Sequence, residues 1–307
     1  MPTLVPVIMT IDEHAPNDIS SDVYRGIFTQ SHHLANSLFQ STLSCALTLA
    51  KPEQVITVAP FEYAPIIHEQ LSSIHIGLKN NVLLMPPPYK PTAAITIAAH
   101  HALAQFTDPV LWIIPVHETH YYSGILKHAV TYSARAAFQG NFVLFGMKPF
   151  KPDIRYAYIV NGKHFEDYDR LQHLRIFVPH PSEQTIESMW QQPYCLASSG
   201  ILLASASHWL HSVHKDLCEG TLDAYTHSTN TLYGPVMNPT TFASLPAQSL
   251  TKYLGLMAQQ TSHSLASYTL PVDTSKHNGW YQLWQQSQTE GRGAALERFL
   301  ERIEEVA

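Results

Sequence analysis

The stretch from Pro91 to Ile159, PTAAITIAAHHALAQFTDPVLWIIPVHETHYYSGILKHAVTYSARAAFQGNFVLFGMKPFKPDIRYAYI, carries the pattern that decides the architecture. Residues 92–105 are rich in alanine, the strongest helix former, and predict a helix. Residues 110–114 (VLWII) form an uninterrupted apolar run of strand length, as expected of a strand covered on both faces. Residues 122–138 return to helical spacing, Gly140 supplies a stop, and residues 142–145 predict a second buried strand. Strands separated by helices pair in parallel, because the crossover returns the chain to the same end of the sheet. Ligands of such sheets bind beyond the carboxyl ends of the strands.

The same cadence runs outward in both directions. Toward the start, residues 4–9, 54–59 and 82–85 predict strands and residues 37–49 and 64–71 helices, before Pro86-Pro87-Pro88 stiffens the connection. Toward the end, residues 156–160, 174–178, 199–203 and 267–271 predict strands. Residues 182–191, 205–215 and 249–260 predict helices. The polar, Thr-rich residues 217–246 yield no element. Residues 294–306 predict an amphipathic helix with Leu296, Phe299, Leu300 and Ile303 on one face, read as a segment that docks on the core rather than a dimer contact. The expectation is an α/β fold with a Rossmann-like mixed, mainly parallel sheet sandwiched by helices. Residues 1–290 form the domain and residues 291–307 a terminal helix of the same unit.

Composition narrows the class of function. Of 307 residues, 45% are hydrophobic and 14% charged, which is globular and poor in surface ion pairs. A net charge of −6 with histidines neutral offers no attraction to phosphate backbones or anionic lipid, so nucleic acid and membrane are not expected partners. No apolar run is long enough for a membrane span. Cys45, Cys195 and Cys218 are odd in number and lack zinc spacing, which, with no basic-apolar leader at Met1–Met9, points to a reducing cytoplasm. The 19 histidines are the compositional oddity.

Short motifs, in order along the chain, resemble those of the sugar nucleotidyltransferases in their mannose-1-phosphate guanylyltransferase branch. Pro6-Val7-Ile8-Met9-Thr10 is similar to the opening strand of PVILSGGSGTRLWP, and Ser37-Leu38-Phe39-Gln40-Ser41-Thr42 to Ser-Leu-x-Gln-x-Thr. Lys90-Pro91-Thr92-Ala93-Ala94 resembles RNTAPAIALAA, and Leu111 to Glu118 resembles LLVLPADHVI. Leu144 to Pro149 with Tyr156-Ala157-Tyr158-Ile159 resembles TFGIxPxxPETGYGYI, and Phe177 to Pro181 resembles FVEKP. Ala197 to Leu203 resembles WNSGIFLF, and Thr274 to Trp284 resembles WSDVGSWxALW. The resemblance implies the nucleotide-diphospho-sugar transferase type of fold. It places sugar-site equivalents at Tyr156, Ala157, Tyr158, His180, Ser198, Ser199 and Gly200.

The chemistry-bearing letters depart from the pattern. The family's glycine loop presents backbone N–H groups to nucleotide phosphates, where a β-carbon would obstruct the approach. Here Ile11, Asp12, Glu13 and His14 take the loop, and no arginine follows. The two family aspartates that hold magnesium fall on His117 and Lys276, and the EKP lysine becomes His180 beside Pro179. These losses imply a catalytically degenerate pseudoenzyme with a binding or regulatory role in nucleotide-sugar metabolism. No cofactor is expected, and the partners are a nucleotide sugar or sugar phosphate and an active homologue or a second copy. The alternative is an active sugar-phosphate nucleotidyltransferase, forming GDP-mannose or a related product, with Mg2+ in a rearranged site. A third reading, a glycosyltransferase-like or metal-binding protein on the same fold, rests on His117-Glu118-Thr119-His120 near His14; the spacing is not HExxH.

Other residues read as structural. Cys45 is expected as a core thiol, His100 and His101 as surface or groove residues, and His208, His211 and His214 as a solvated stripe. Ser198-Ser199-Gly200 reads as a strand start, not a nucleophile turn. Lys148, Lys151 and Arg155 form a small basic cluster beside the sugar-side strand.

Overall fold

A computed structural model describes residues 2–11, 27–28, 36–116, 123–154, 156–260 and 264–274. The strands are β1 (Leu4–Met9), β2 (Ile56–Pro60), β3 (Val82–Met85), β4 (Val110–Pro115), β5 (Asn141–Lys148), β6 (Tyr158–Phe165), β7 (Tyr168–Val178), β8 (Cys195–Ser205), β9 (Thr229–Thr231), β10 (Gly234–Val236) and β11 (Ser264–Asp273). The helices are α1 (Leu38–Ala46), α2 (Ala64–Ile74), α3 (Pro91–Gln105), α4 (Ser123–Phe138), α5 (Glu183–Met189), α6 (Ala206–Ser212), α7 (Lys215–Thr226), α8 (Pro239–Ser244) and α9 (Leu250–Met257).

The parallel centre is β4-β1-β2-β3, as the alternation predicts. Side chains alternate along a strand, so a strand covered on both faces feeds two cores. In β1, Val5, Val7 and Met9 enter one apolar cluster and Ile8 the other. In β4, Leu111 and Ile113 join the first, Trp112 and Ile114 the second. Helices α3, α6, α7, α8 and α9 cover the first face, and α1, α2 and α4 the second. Helix α3 is buried almost throughout, and its alanines Ala93, Ala94, Ala98, Ala99 and Ala102 bring its backbone close to the sheet.

The mainly parallel sheet is corrected by the second half of the chain. Strands β5, β11, β7, β6 and β8 pair in sequence, and β8 pairs back to β5, closing a five-strand ring on the end of the sheet. Of these pairings only β5 with β11 is parallel. The cause is partly local: β6 and β7 face Phe165 against Tyr168 across a two-residue turn, Glu166-Asp167, and so short a link permits only antiparallel pairing. β8 also runs antiparallel to β4, joining ring and sheet.

Two further expectations are revised. Residues 217–246, which yielded no element, hold most of α7, the β9–β10 hairpin and α8. The helix expected over residues 205–215 ends at Ser212, and His214 accepts from Asp216 N to start α7. The amphipathic helix expected over 294–306 lies outside the described residues. The Ser-Leu-x-Gln motif has a clear mechanical role: Gln40 N donates to Ser37 Oγ (3.1 Å) and Ser37 N donates to Gln40 Oε1 (2.9 Å), a capping box opening α1. Ser37 Oγ also donates to Gln70 Oε1 at 2.6 Å, tying α1 to α2.

Candidate functional site

β1 leaves the sheet between β4 and β2, with Met9 level with Pro115 on one side and Val58 on the other. Val116 N donates to Met9 O at 3.1 Å, and Thr10 sends both its N–H and its hydroxyl to Val58 O, each at 3.1 Å. Ile11, where the family pattern has its first loop glycine, is 4% exposed and belongs to the same core cluster as Met9, Met85 and Ala93. Its side chain therefore occupies apolar interior at the mouth of β1. Asp12, Glu13, His14, His117 and Lys276 lie outside the described residues. Ile11 and Val116, from which two of those segments depart, extend adjacent strands.

The sugar-site equivalents gather at one edge. Strand register aligns Val178 with Tyr158 and Tyr158 with Ala197, so the end of β7, the start of β6 and the first half of β8 meet there. Ser198 N donates to Ala157 O at 2.8 Å. His180 is exposed two residues beyond β7. Gly200 adopts φ +76, and an added Cβ would come within 3.0 Å of Pro115 Cγ. The glycine lets β8 bend past the carboxyl end of β4. Gly200→Ala is expected to cost about 1–3 kcal/mol from the left-handed backbone and the Pro115 contact, read by urea unfolding. An unchanged midpoint would show that Pro115 yields freely.

Within this group, two hydroxyls are committed to the fold. Ser199 Oγ donates to Phe145 O at 2.8 Å, where the β5–β8 ladder is irregular, and accepts from Ile201 N at 3.3 Å. That agrees with the structural reading of Ser198-Ser199-Gly200. Tyr158 is fully buried with Ile186, Cys195 and Ala197, while its hydroxyl donates to Asp153 O at 2.9 Å and accepts from Asp153 N at 3.2 Å. It holds the loop between β5 and β6. Tyr156 and Ala157 are half-buried beside it.

Magnesium can be tested against the donors present. Among the described residues no three His, Cys, Asp or Glu side chains converge. Glu62, beyond the carboxyl end of β2, accepts from Tyr89 Oη at 2.5 Å. Thr10 is spent on Val58, and Pro115 and Val116 offer no carboxylate. The described part of this mouth does not fit a hard, oxygen-seeking cation.

Lys90, at the position of the family arginine in RNTAP, was not singled out by sequence. It is buried, and its ammonium donates to Phe242 O (3.0 Å), Ala243 O (2.7 Å) and Leu245 O at the end of α8. Burial lowers its pKa below the usual lysine value. The histidines are also structural. His100 Nε2 lies 3.2 Å from Cys218 O, joining α3 to α7, and His101 lies in a hydrogen-bonded group with Tyr225, Asn81 and Gln105. His208 is half-buried and packs on Phe142, with ring centroids 5.0 Å apart, whereas His211 and His214 are exposed, as the solvated-stripe reading expects. Cys45 and Cys195 are buried thiols with pKa pushed up to about 11 by burial.

Over 269 residues the chain is 26% identical to xanthan biosynthesis protein XanB of Xanthomonas campestris, covering 85% of this chain and 54% of that protein. It is 24% identical over 274 residues to a mannose-1-phosphate guanylyltransferase of Escherichia coli, covering 85% and 56%. The chain is a relative of the mannose-1-phosphate guanylyltransferase branch of the sugar nucleotidyltransferases. It spans about half the length of the curated relatives it matches. The crystal structure of mannose-1-phosphate geranyltransferase from Thermus thermophilus superposes with a TM-score of 0.68 at 16% identity, covering 87% of this chain and 74% of that one, and shares the fold. No family model matches the chain. Among the described residues, no helix is long and apolar enough to cross a membrane.

Proposed function

We propose that this guanylyltransferase relative is catalytically degenerate and binds a nucleotide sugar or sugar phosphate in a regulatory or partner-subunit role. The observation that carries the reading is Ile11. Where the family pattern has a loop glycine, this chain has an isoleucine anchored in the core with Met9, Met85 and Ala93, so the backbone freedom of the glycine is lost at the start of the loop. The sequence adds Asp12 and Glu13, whose carboxylates repel a triphosphate, and Lys276, whose ammonium repels a divalent cation. On the sugar side Tyr156, Tyr158, Ser199 and Gly200 keep the letters of the family pattern, while Ala157 and Ser198 stand where it has glycine and asparagine. A cytoplasmic setting with an active homologue or a second copy as partner accords with such a role.

Incubation with GTP, mannose 1-phosphate and Mg2+ is expected to release no pyrophosphate above a blank lacking protein. GDP-mannose or mannose 1-phosphate is expected to raise the melting temperature without Mg2+, since a ligand at 100 times its Kd stabilises the native state by about 2.7 kcal/mol. Sustained turnover would overturn degeneracy in favour of an active nucleotidyltransferase with a rearranged site. Absence of any thermal shift with either ligand would overturn the binding role.

A further inference from the structure

We propose that the segment 294–306 of this chain docks in cis on the loop that joins β5 to β6, covering Phe150 and Ile154. This loop carries two large apolar side chains in solvent among charged residues. Phe150 is 63% exposed and Ile154 51%, and they lie close together in sequence beyond β5, with Lys148 and Lys151 exposed among them. An aromatic and a branched aliphatic side chain left open in one short loop mark a surface that another apolar element can cover.

Two observations select the occupant. The first is where the described chain ends. Asp273 is level with Lys148 in the β5–β11 pairing, and Phe150 N donates to Thr274 Oγ1 at 2.9 Å. The chain therefore passes the exposed loop immediately before residues 275–307. Tethering raises the local concentration of a segment to the millimolar range, which favours its own chain over a second copy.

The second is charge. Leu296, Phe299, Leu300 and Ile303 fall at helical spacing, and Glu297, Glu301 and Glu304 each stand one residue further on, bordering that apolar stripe on one side. Across residues 294–306 four glutamates outnumber two arginines. An apolar stripe with an acidic border complements Phe150 and Ile154 flanked by Lys148 and Lys151.

Hydrogen exchange followed by mass spectrometry on the full chain tests the assignment. Amides of residues 296–303 are expected to exchange at least about tenfold more slowly than an unstructured chain. Phe150→Ser with Ile154→Ser is expected to abolish that protection, whereas Phe138→Ser, at an exposed phenylalanine on α4, leaves it intact. Lys148→Glu with Lys151→Glu is expected to weaken it, and adding Glu301→Lys and Glu304→Lys to restore it. The assignment is overturned by any of three results: no protection in the full chain, protection that survives the Phe150 and Ile154 changes, or protection that rises with protein concentration alongside a dimer.

Discussion

Replacing Lys90 with methionine is expected to lower folding stability by about 1–3 kcal/mol, the cost of leaving buried acceptors without their donor. The last carbonyls of a helix have no partner within it. Here Phe242, Ala243 and Leu245, at the end of α8, are met by one ammonium arriving from the residue before α3. The charge also faces the negative end of the short helix and lies 5.9 Å from the Phe242 ring centroid. Opposing these gains is desolvation, which lowers the lysine pKa and keeps the total below the sum of three charged hydrogen bonds. Methionine fills similar volume but removes the ammonium from Ala243 O and Leu245 O, while Phe242 O keeps the N–H of Leu245 at 3.3 Å. Lys90→Arg is expected to recover only part of the loss, because a planar guanidinium does not fit a site shaped for a compact ammonium. Urea unfolding measures both. A loss below about 1 kcal/mol for Lys90→Met would show that water reaches these carbonyls once the ammonium is gone.

The contrast between Lys90 and the parallel strands explains what was legible before the structure. β1 and β3 match their predicted spans because a continuous apolar run is a local signal, and α3 matches within one residue because alanine and Pro91 specify it locally. Ring closure is not local. It depends on β8 reaching β4, β5 and β6 at once, with Gly200 turning the strand between them, and no short window encodes those pairings. Some of 217–246 did carry a signal: Asn238 followed by Pro239, with Thr241 N donating to Asn238 Oδ1 at 3.0 Å, is a capped helix start. Polar composition obscured it, and α7 buries only Leu217, Thr221 and Ala224. At the candidate site, motif order brought Ala157, Ser198 and Gly200 to one edge. It could not reveal that Tyr158 and Ser199 spend their hydroxyls on main-chain groups, since those partners are set by tertiary packing.

Acidification is expected to remove about 3 kcal/mol of stability through His101. Burial depresses its pKa from 6.5 to about 4, and that difference corresponds to roughly 1.4 kcal/mol for each pH unit between them. The neutral ring suits its surroundings. Gln105 Nε2 lies 2.6 Å from Nε2, so that nitrogen accepts, leaving the proton on Nδ1 to be donated to Tyr225 Oη at 2.8 Å. Protonation would set an N–H against the Gln105 amide, with only Asn81 Oδ1, at 3.2 Å, placed to accept it. Because the folded pKa lies below the unfolded one, the stabilisation is complete above pH 6.5 and is lost as pH falls from there through 4. His100 and His68, also depressed chiefly by burial, act in the same direction. His101→Gln retains a hydrogen-bonding side chain but cannot titrate. Its unfolding free energy is expected below wild type at pH 7, with the gap closing by about 3 kcal/mol as both are taken to pH 4. Wild-type and variant curves that stay parallel across this window would show that the ring protonates at no cost to the fold, and that the contact between α3 and α7 opens to water before the proton arrives.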